Sequence, residues 1–159
     1  MGDEQLERQL RRLVDKDAIR DLVAKYSVFI DLGRREELLA LFTEDCLVDY
    51  GPSLGGPHQG AAFVDFMTGR DAGAATRPRF RATTHHNANV LVEFVDDDTA
   101  TGWAGLYAWH EMADGTHAEV WGYYEDEYVR TPDGWRFRKR VERTAGHVNF
   151  PLEWNRLRT

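Results

Sequence analysis

The order of patterns along the chain predicts an α+β fold, with helices laid against a curved antiparallel sheet. Three observations carry this. Apolar residues in the first third recur every three or four positions. After Pro78 the character changes to long extended runs. The segments joining those runs, "DDD", "ADG" and "TPDG", have the size and composition of hairpin turns.

Leu6, Leu10 and Leu13 form one helical stripe, and Ile19, Leu22, Tyr26 and Phe29 form a second, offset around "DKD" at 15–17. This predicts a helical N-terminal arm over 1–16 and a main helix that stops at Gly33. "RREELLALF" reads as a second, short helix, and "DCLVDYG" alternates as a strand. "GPSLGGPHQG" is a turn built on Gly and Pro, and "AAFVDFM" is a third helix. A loop over 69–78 leads to four strands, roughly 81–95, 99–111, 116–130 and 134–148. Strands of that length curl, and the helices can close the concave side into a cone with a pocket inside. One domain over 1–159 is expected, ending in a tail at 149–159, with no internal repeat.

Composition excludes several classes. The chain is 42% hydrophobic and 12% aromatic, enough for a real interior. A net charge of -7 argues against a general nucleic-acid binder, which needs a basic face for phosphates. No run of eighteen apolar residues occurs, and "MGDEQLERQL" is charged rather than signal-like. The single cysteine, Cys46, fits a reducing compartment, so a cytoplasmic domain is expected. Ser27 and Ser53 are the only serines and neither lies in a G-x-S-x-G setting. The Gly/Pro turn lacks the Gly-Lys-Ser/Thr of a phosphate loop. His85 and His86 point to opposite faces of a strand, so they do not share a metal without a bulge. Neither metal nor organic cofactor is expected.

Two positions stand out chemically. Asp31 closes an apolar helical run just before Gly33. A helix C-terminus carries partial negative charge, which disfavours a carboxylate there. Asp31 also sits a quarter turn or more from the Asp21/Lys25 solvent stripe, so at least partial burial is expected. The second is "TTHHNANVLVEFV". Alternation puts His86, Ala88, Val90, Val92 and Phe94 on a face that reads as core, which leaves His85, Asn87, Asn89, Leu91 and Glu93 on a polar face. That polarity suits a surface edge or a polar pocket equally.

The segments "IRDLVAKYSVFIDLGRREELLALFTEDCLVDYG", "THHNANVLVEFVDDDTATG" and "YYEDEYVRTPDGWRFRKR" resemble the SnoaL-like group of the nuclear transport factor 2-like superfamily. The resemblance spans nearly the whole chain and implies a cone-shaped α+β barrel that forms a homo-oligomer, trimer or dimer. Within the superfamily the chain looks most like the branch of scytalone dehydratase, bile acid 7α-dehydratase and hexachlorocyclohexane dehydrochlorinase. That likeness implies a catalytic pair, Asp31 with His85, and substrate contacts from Tyr26, Tyr50, His110 and Arg140; by their own patterns Tyr26 and Tyr50 also suit core aromatics, His110 a surface turn and Arg140 a solvated basic strand. Trp121 is added as a pocket-wall candidate, while His58 and His117 read as surface. Departures exist: Gly122 and Tyr124 replace a Ser and an Asn of scytalone dehydratase, and Ala108 replaces a later Asp of the bile acid enzyme.

An Asp that accepts the Nδ1 proton of a His fixes its tautomer and leaves Nε2 free as a base. The implied function is a cofactor-independent, dehydratase-like lyase acting on a small hydrophobic cyclic or polycyclic substrate. The same base serves an isomerase or polyketide cyclase. A non-catalytic small-ligand binder or assembly subunit is the reading from another class, and it has no need of the pair.

Overall fold

A computed structural model describes residues 2–52, 56–68 and 80–150. The expected loop at 69–78 and the tail beyond Phe150 lie outside the described residues.

The first helix, α1 (Asp3–Asp31), is one 29-residue element that passes through "DKD" without a break. Arm and main helix are therefore continuous. No Gly or Pro interrupts the run, and Asp15 turns inward to accept hydrogen bonds from Arg130 Nη2 (2.7 Å) and Trp135 Nε1 (3.0 Å). Apolar burial is confined to the second half, where Ile19, Leu22, Val23 and Tyr26 are buried. Leu6, Leu10 and Leu13 stand 56%, 59% and 64% exposed. The helix ends as expected at Gly33, whose φ is +63°. The Arg34 N–H donates to the Phe29 carbonyl (2.8 Å) and the Gly33 N–H to Ile30 (3.3 Å), which is a Schellman cap. No helix among the described residues is long and apolar enough to cross a membrane.

After α1 come α2 (Arg35–Leu39), β1 (Phe42–Asp49), β2 (His58–Gln59), α3 (Ala62–Thr68), β3 (Phe80–Phe94), β4 (Thr99–Met112), β5 (His117–Thr131) and β6 (Gly134–Val148). The six strands form one sheet in the order β2-β1-β6-β5-β4-β3. Its pairs are antiparallel except β1 with β6, which run parallel. The expected antiparallel meander holds for the four long strands, and β1 departs from it, because it leaves α2 and enters the sheet beside the last strand in the same direction. The α1 helix touches β3 on one side and β6 on the other, so the open sheet curls around it.

The inner face of β4 carries Ala100, Gly102, Ala104, Leu106 and Ala108. Apart from Leu106 these residues are small and leave room for large ones opposite. Tyr124 and Tyr128 of β5 and Phe137 of β6 pack there against Tyr26 and Phe42. Burying a side chain of that size is worth about 1.5–3 kcal/mol, so this aromatic layer is a main source of stability.

Strand β3 departs from simple alternation. Between Ala88 and Leu91 it has one residue more than β4 does between Gly105 and Trp103, a β-bulge with Asn89 at φ 53°. Asn tolerates this left-handed conformation better than most residues. Before the bulge Thr83, His85 and Asn87 turn inward; after it Val90, Val92 and Phe94 do. The core face expected for His86 and Ala88 is thus wrong for the first half of the strand and right for the second.

Candidate active site

Asp31 is the last residue of α1, and His85 lies on the edge strand β3. The capped helix end delivers the carboxylate to that edge. Asp31 Oδ2 accepts the backbone N–H of His85 (2.8 Å), and Oδ1 lies 2.6 Å from His85 Nδ1. A carboxylate facing Nδ1 requires a proton there, so Nε2 carries the lone pair. The His85 side chain is 8% exposed and that of Asp31 18%. Two donors on the carboxylate offset the unfavourable helix end.

The tyrosines stand beside the pair. Tyr26 and Tyr50 are buried with their hydroxyl oxygens 2.6 Å apart. The Tyr26 ring meets His85 edge-on at 6.5 Å and Tyr124 at 5.7 Å. Burial raises the phenol pKa of Tyr26, and that of Tyr50 well above the ordinary value, so both hydroxyls keep their protons and can donate.

His110 is buried at 6% exposure, although its place near the "HEMADGTH" turn suits the surface equally well. It is wedged between Phe80 and Phe150, with its ring 5.6 Å from that of His85. Burial, with His85 beside it, pushes its pKa down to about 4, so it is neutral at physiological pH. Among the described residues its Nδ1 has no hydrogen-bond partner.

Arg140 is completely buried rather than part of a solvated basic strand. Its Nε and Nη2 donate to Asp126 (2.9 and 2.8 Å), and its guanidinium lies about 4 Å from the ring centres of Tyr26, Tyr124 and Phe137. Burial alone would lower its pKa, but Asp126 holds it above the ordinary value. The cation lies beneath the tyrosines with its charge already matched.

Trp121 does not belong with these residues. On β5 the inward set is Ala118, Val120, Gly122, Tyr124 and Asp126, and Trp121 has the opposite parity and is 38% exposed. Trp103 and Tyr123 share that outer face. His117 is exposed and His58 half-buried.

Sequence reasoning missed several interior groups. Thr83 Oγ1 and both amide atoms of Asn87 are buried without a hydrogen-bond partner among the described residues, on the same inward face as His85. Buried polar atoms of this kind call for a ligand or water. Glu142, also inward, was hidden inside the charged run "RFRKRVERT". Among the described residues no three His, Cys, Asp or Glu side chains converge as a metal site.

An α+β cone with a mixed sheet around its first helix is the nuclear transport factor 2-like architecture. The chain belongs to the SnoaL-like family of that superfamily: residues 11–141 match the model of the SnoaL-like domain. An uncharacterized protein of Mycobacterium tuberculosis is 33% identical over 134 residues, which span 80% of this chain and 84% of that one. A solved candidate scytalone dehydratase from Novosphingobium aromaticivorans is 30% identical, with a TM-score of 0.79 over 93% of this chain and 95% of that one. A hexachlorocyclohexane dehydrochlorinase from Novosphingobium barchaimii shares the fold at 20% identity, with a TM-score of 0.76 over 90% and 94% of the two chains.

Proposed function

We propose that the chain is a lyase of dehydratase type, acting on a small cyclic or polycyclic substrate with His85 as its base. The single observation that carries this is the two-point contact of Asp31 with His85, at 2.6 Å to the ring and 2.8 Å to the backbone. Support also comes from the likeness to a candidate scytalone dehydratase over nearly the whole chain.

In this reading His85 Nε2 takes a proton from a carbon next to the one bearing the leaving hydroxyl. The C–H electrons become the new C=C bond and the C–O bond breaks. The departing oxygen takes a proton from the imidazolium and leaves as water, which returns His85 to its starting state. Asp31 holds the tautomer and stabilises the imidazolium while it exists. The Tyr26–Tyr50 hydroxyl pair donates to the substrate carbonyl, where charge builds up as the proton leaves. His110, neutral, positions the substrate beside His85. Arg140 keeps Tyr26 and Tyr124 in place from below; Asp126 balances its charge, and its Nη1, without a partner among the described residues, is left to a neutral acceptor. The protein works as a homo-oligomer in the cytoplasm and needs no cofactor.

The test is a panel of cyclic β-hydroxyketones, followed by the ultraviolet absorbance of the conjugated enone. Wild type should turn over at least one member. His85→Gln should abolish turnover while ligand binding and thermal melting persist, since general-base catalysis is worth about 10²–10⁴-fold. Cyclic β,γ-enones in the same panel separate the isomerase reading, which uses the same base to move a proton between carbons. Full turnover in His85→Gln would remove both.

A further inference from the structure

Glu142 is a carboxyl that the proposed reaction does not use. It lies on the inward face of β6, is 4% exposed, and pairs across the sheet with Tyr124. Among the described residues its carboxyl makes one hydrogen bond, accepted from Thr144 Oγ1 (3.1 Å). No cation pairs with it there. On the same face of its strand Arg140 gives Nε and Nη2 to Asp126, and among the described residues its buried Nη1 has no hydrogen-bond partner. The groups around it are Arg140 and Thr144 on β6, Tyr124 and Asp126 on β5, Tyr26 on α1, and Tyr50 just after β1. Asp31 and His85 lie beyond Tyr26.

A buried carboxyl without a cation is far cheaper to keep as the neutral acid. Burial accordingly pushes Glu142 up to about 8, so it carries its proton at neutral pH. The neutral acid has one O–H donor, and the Thr144 contact engages only an acceptor oxygen. Asp31 already places one negative charge in this interior, and the Asp126–Arg140 pair sums to zero. An anionic ligand therefore meets no free positive charge among the described residues.

We infer that Glu142 is a second ligand-contacting group of this interior: a carboxylic acid that gives its O–H to a carbonyl or hydroxyl oxygen of an uncharged substrate, across the tyrosine pair from His85. The inference rests on the site proposed above and names the kind of molecule it takes. Such a ligand carries at least two features, a proton-bearing carbon for His85 and a neutral oxygen for Glu142. A carboxylate or phosphate substrate is disfavoured.

The test uses 1-indanone, a neutral bicyclic ketone, and indane, the same skeleton without the oxygen. Affinities are measured by calorimetry with wild type and Glu142→Gln, at about pH 6 and about pH 9.5. Wild type should prefer the ketone at the lower pH and lose about tenfold of that affinity at the higher one, the equivalent of one good hydrogen bond. Indane should show no such loss. In Glu142→Gln the ketone profile should be flat, because the amide donates at every pH. The infrared carbonyl band of ¹³C-labelled indanone gives a readout in wild type alone: lower when bound near pH 6 than near pH 9.5, where the tyrosine pair can still donate but Glu142 cannot. A ketone affinity that is flat in wild type, a pH limb that persists in Glu142→Gln, or no preference for the ketone over indane overturns the inference. A flat ketone profile with dehydration intact sinks this inference and spares the lyase. A ketone limb in a protein that dehydrates nothing does the reverse.

Discussion

Replacing Asp31 by Asn changes one oxygen for an NH₂ group at the point where two hydrogen bonds converge. Asp31 accepts the His85 backbone N–H at 2.8 Å and faces Nδ1 at 2.6 Å, each through a different oxygen. An amide has only one acceptor oxygen. If that oxygen stays with the backbone N–H, the NH₂ faces the ring and the proton moves to Nε2, which removes the base. If the amide flips, its NH₂ opposes the backbone N–H, donor against donor. Either arrangement gives up a charge-assisted bond worth about 1.5–3 kcal/mol. Removing a charge from the negative helix end returns about 0.3–1 kcal/mol, so urea denaturation should show a net loss of about 1–2 kcal/mol. Turnover should fall much further, by about 10²–10⁴-fold, because the amide stabilises no imidazolium. KM should change little, since the pair acts on the transition state rather than on binding. The assays are steady-state kinetics on the β-hydroxyketone that wild type dehydrates and ¹⁵N NMR of the imidazole. A variant within threefold of wild-type kcat would refute this account of the pair, while the ¹⁵N shifts tell which of the two amide arrangements it takes.

Three further outcomes are expected. Asp126→Asn leaves Arg140 buried without its counter-charge and should cost about 3–5 kcal/mol in a chemical denaturation curve; a loss below 1 kcal/mol would show that the three aromatic rings suffice. Gly122→Ala would drive a methyl group into the Arg143 carbonyl and lower stability by about 1–3 kcal/mol, visible as a drop in Tm with unchanged far-ultraviolet dichroism. The pH dependence of stability carries the signature of Glu142, whose folded pKa of about 8 lies above the ordinary 4.5. The folded state then binds the proton more tightly, so this contribution is complete below pH 4.5, declines as pH rises towards about 8, and changes no further above it. Its size is on the order of a few kcal/mol, and Glu142→Gln should flatten that part of the profile.

Much of the fold was legible because long periodic elements announce themselves. The four long strands begin and end within about a residue or two of the expected places. The helix stop at Gly33 was readable from a glycine after a periodic run, and it is the feature that delivers Asp31 to the sheet edge. Three things were not readable, each for a definite reason. Alternation gives a face only while one residue on a strand matches one on its neighbour, and Asn89 breaks that count. Aromatic content does not say which way a strand faces: "VWGYYEDEY" carries rings at both parities, and Trp121 fell on the outer one. Arg140 and Asp126 lie fourteen positions apart in a charged region, so only the register of β5 on β6 reveals that each neutralises the other.

The extra residue at Asn89 divides β3 into two lengths of opposite phase. On one side of it, odd positions face the interior and carry Thr83, His85 and Asn87; on the other, even positions do and carry Val90, Val92 and Phe94. Mutational tolerance along the strand should therefore change parity midway, with 86 and 88 forgiving on the near side and 91 and 93 on the far side. Deleting Asn89 restores one continuous phase and forces a choice: either the histidine and the amide turn out to water, or the apolar residues do. A single codon thus separates a wall that can meet a polar ligand from one that can only pack. For chains built on this strand, gain or loss of one residue is a shorter route between those two uses than any series of substitutions.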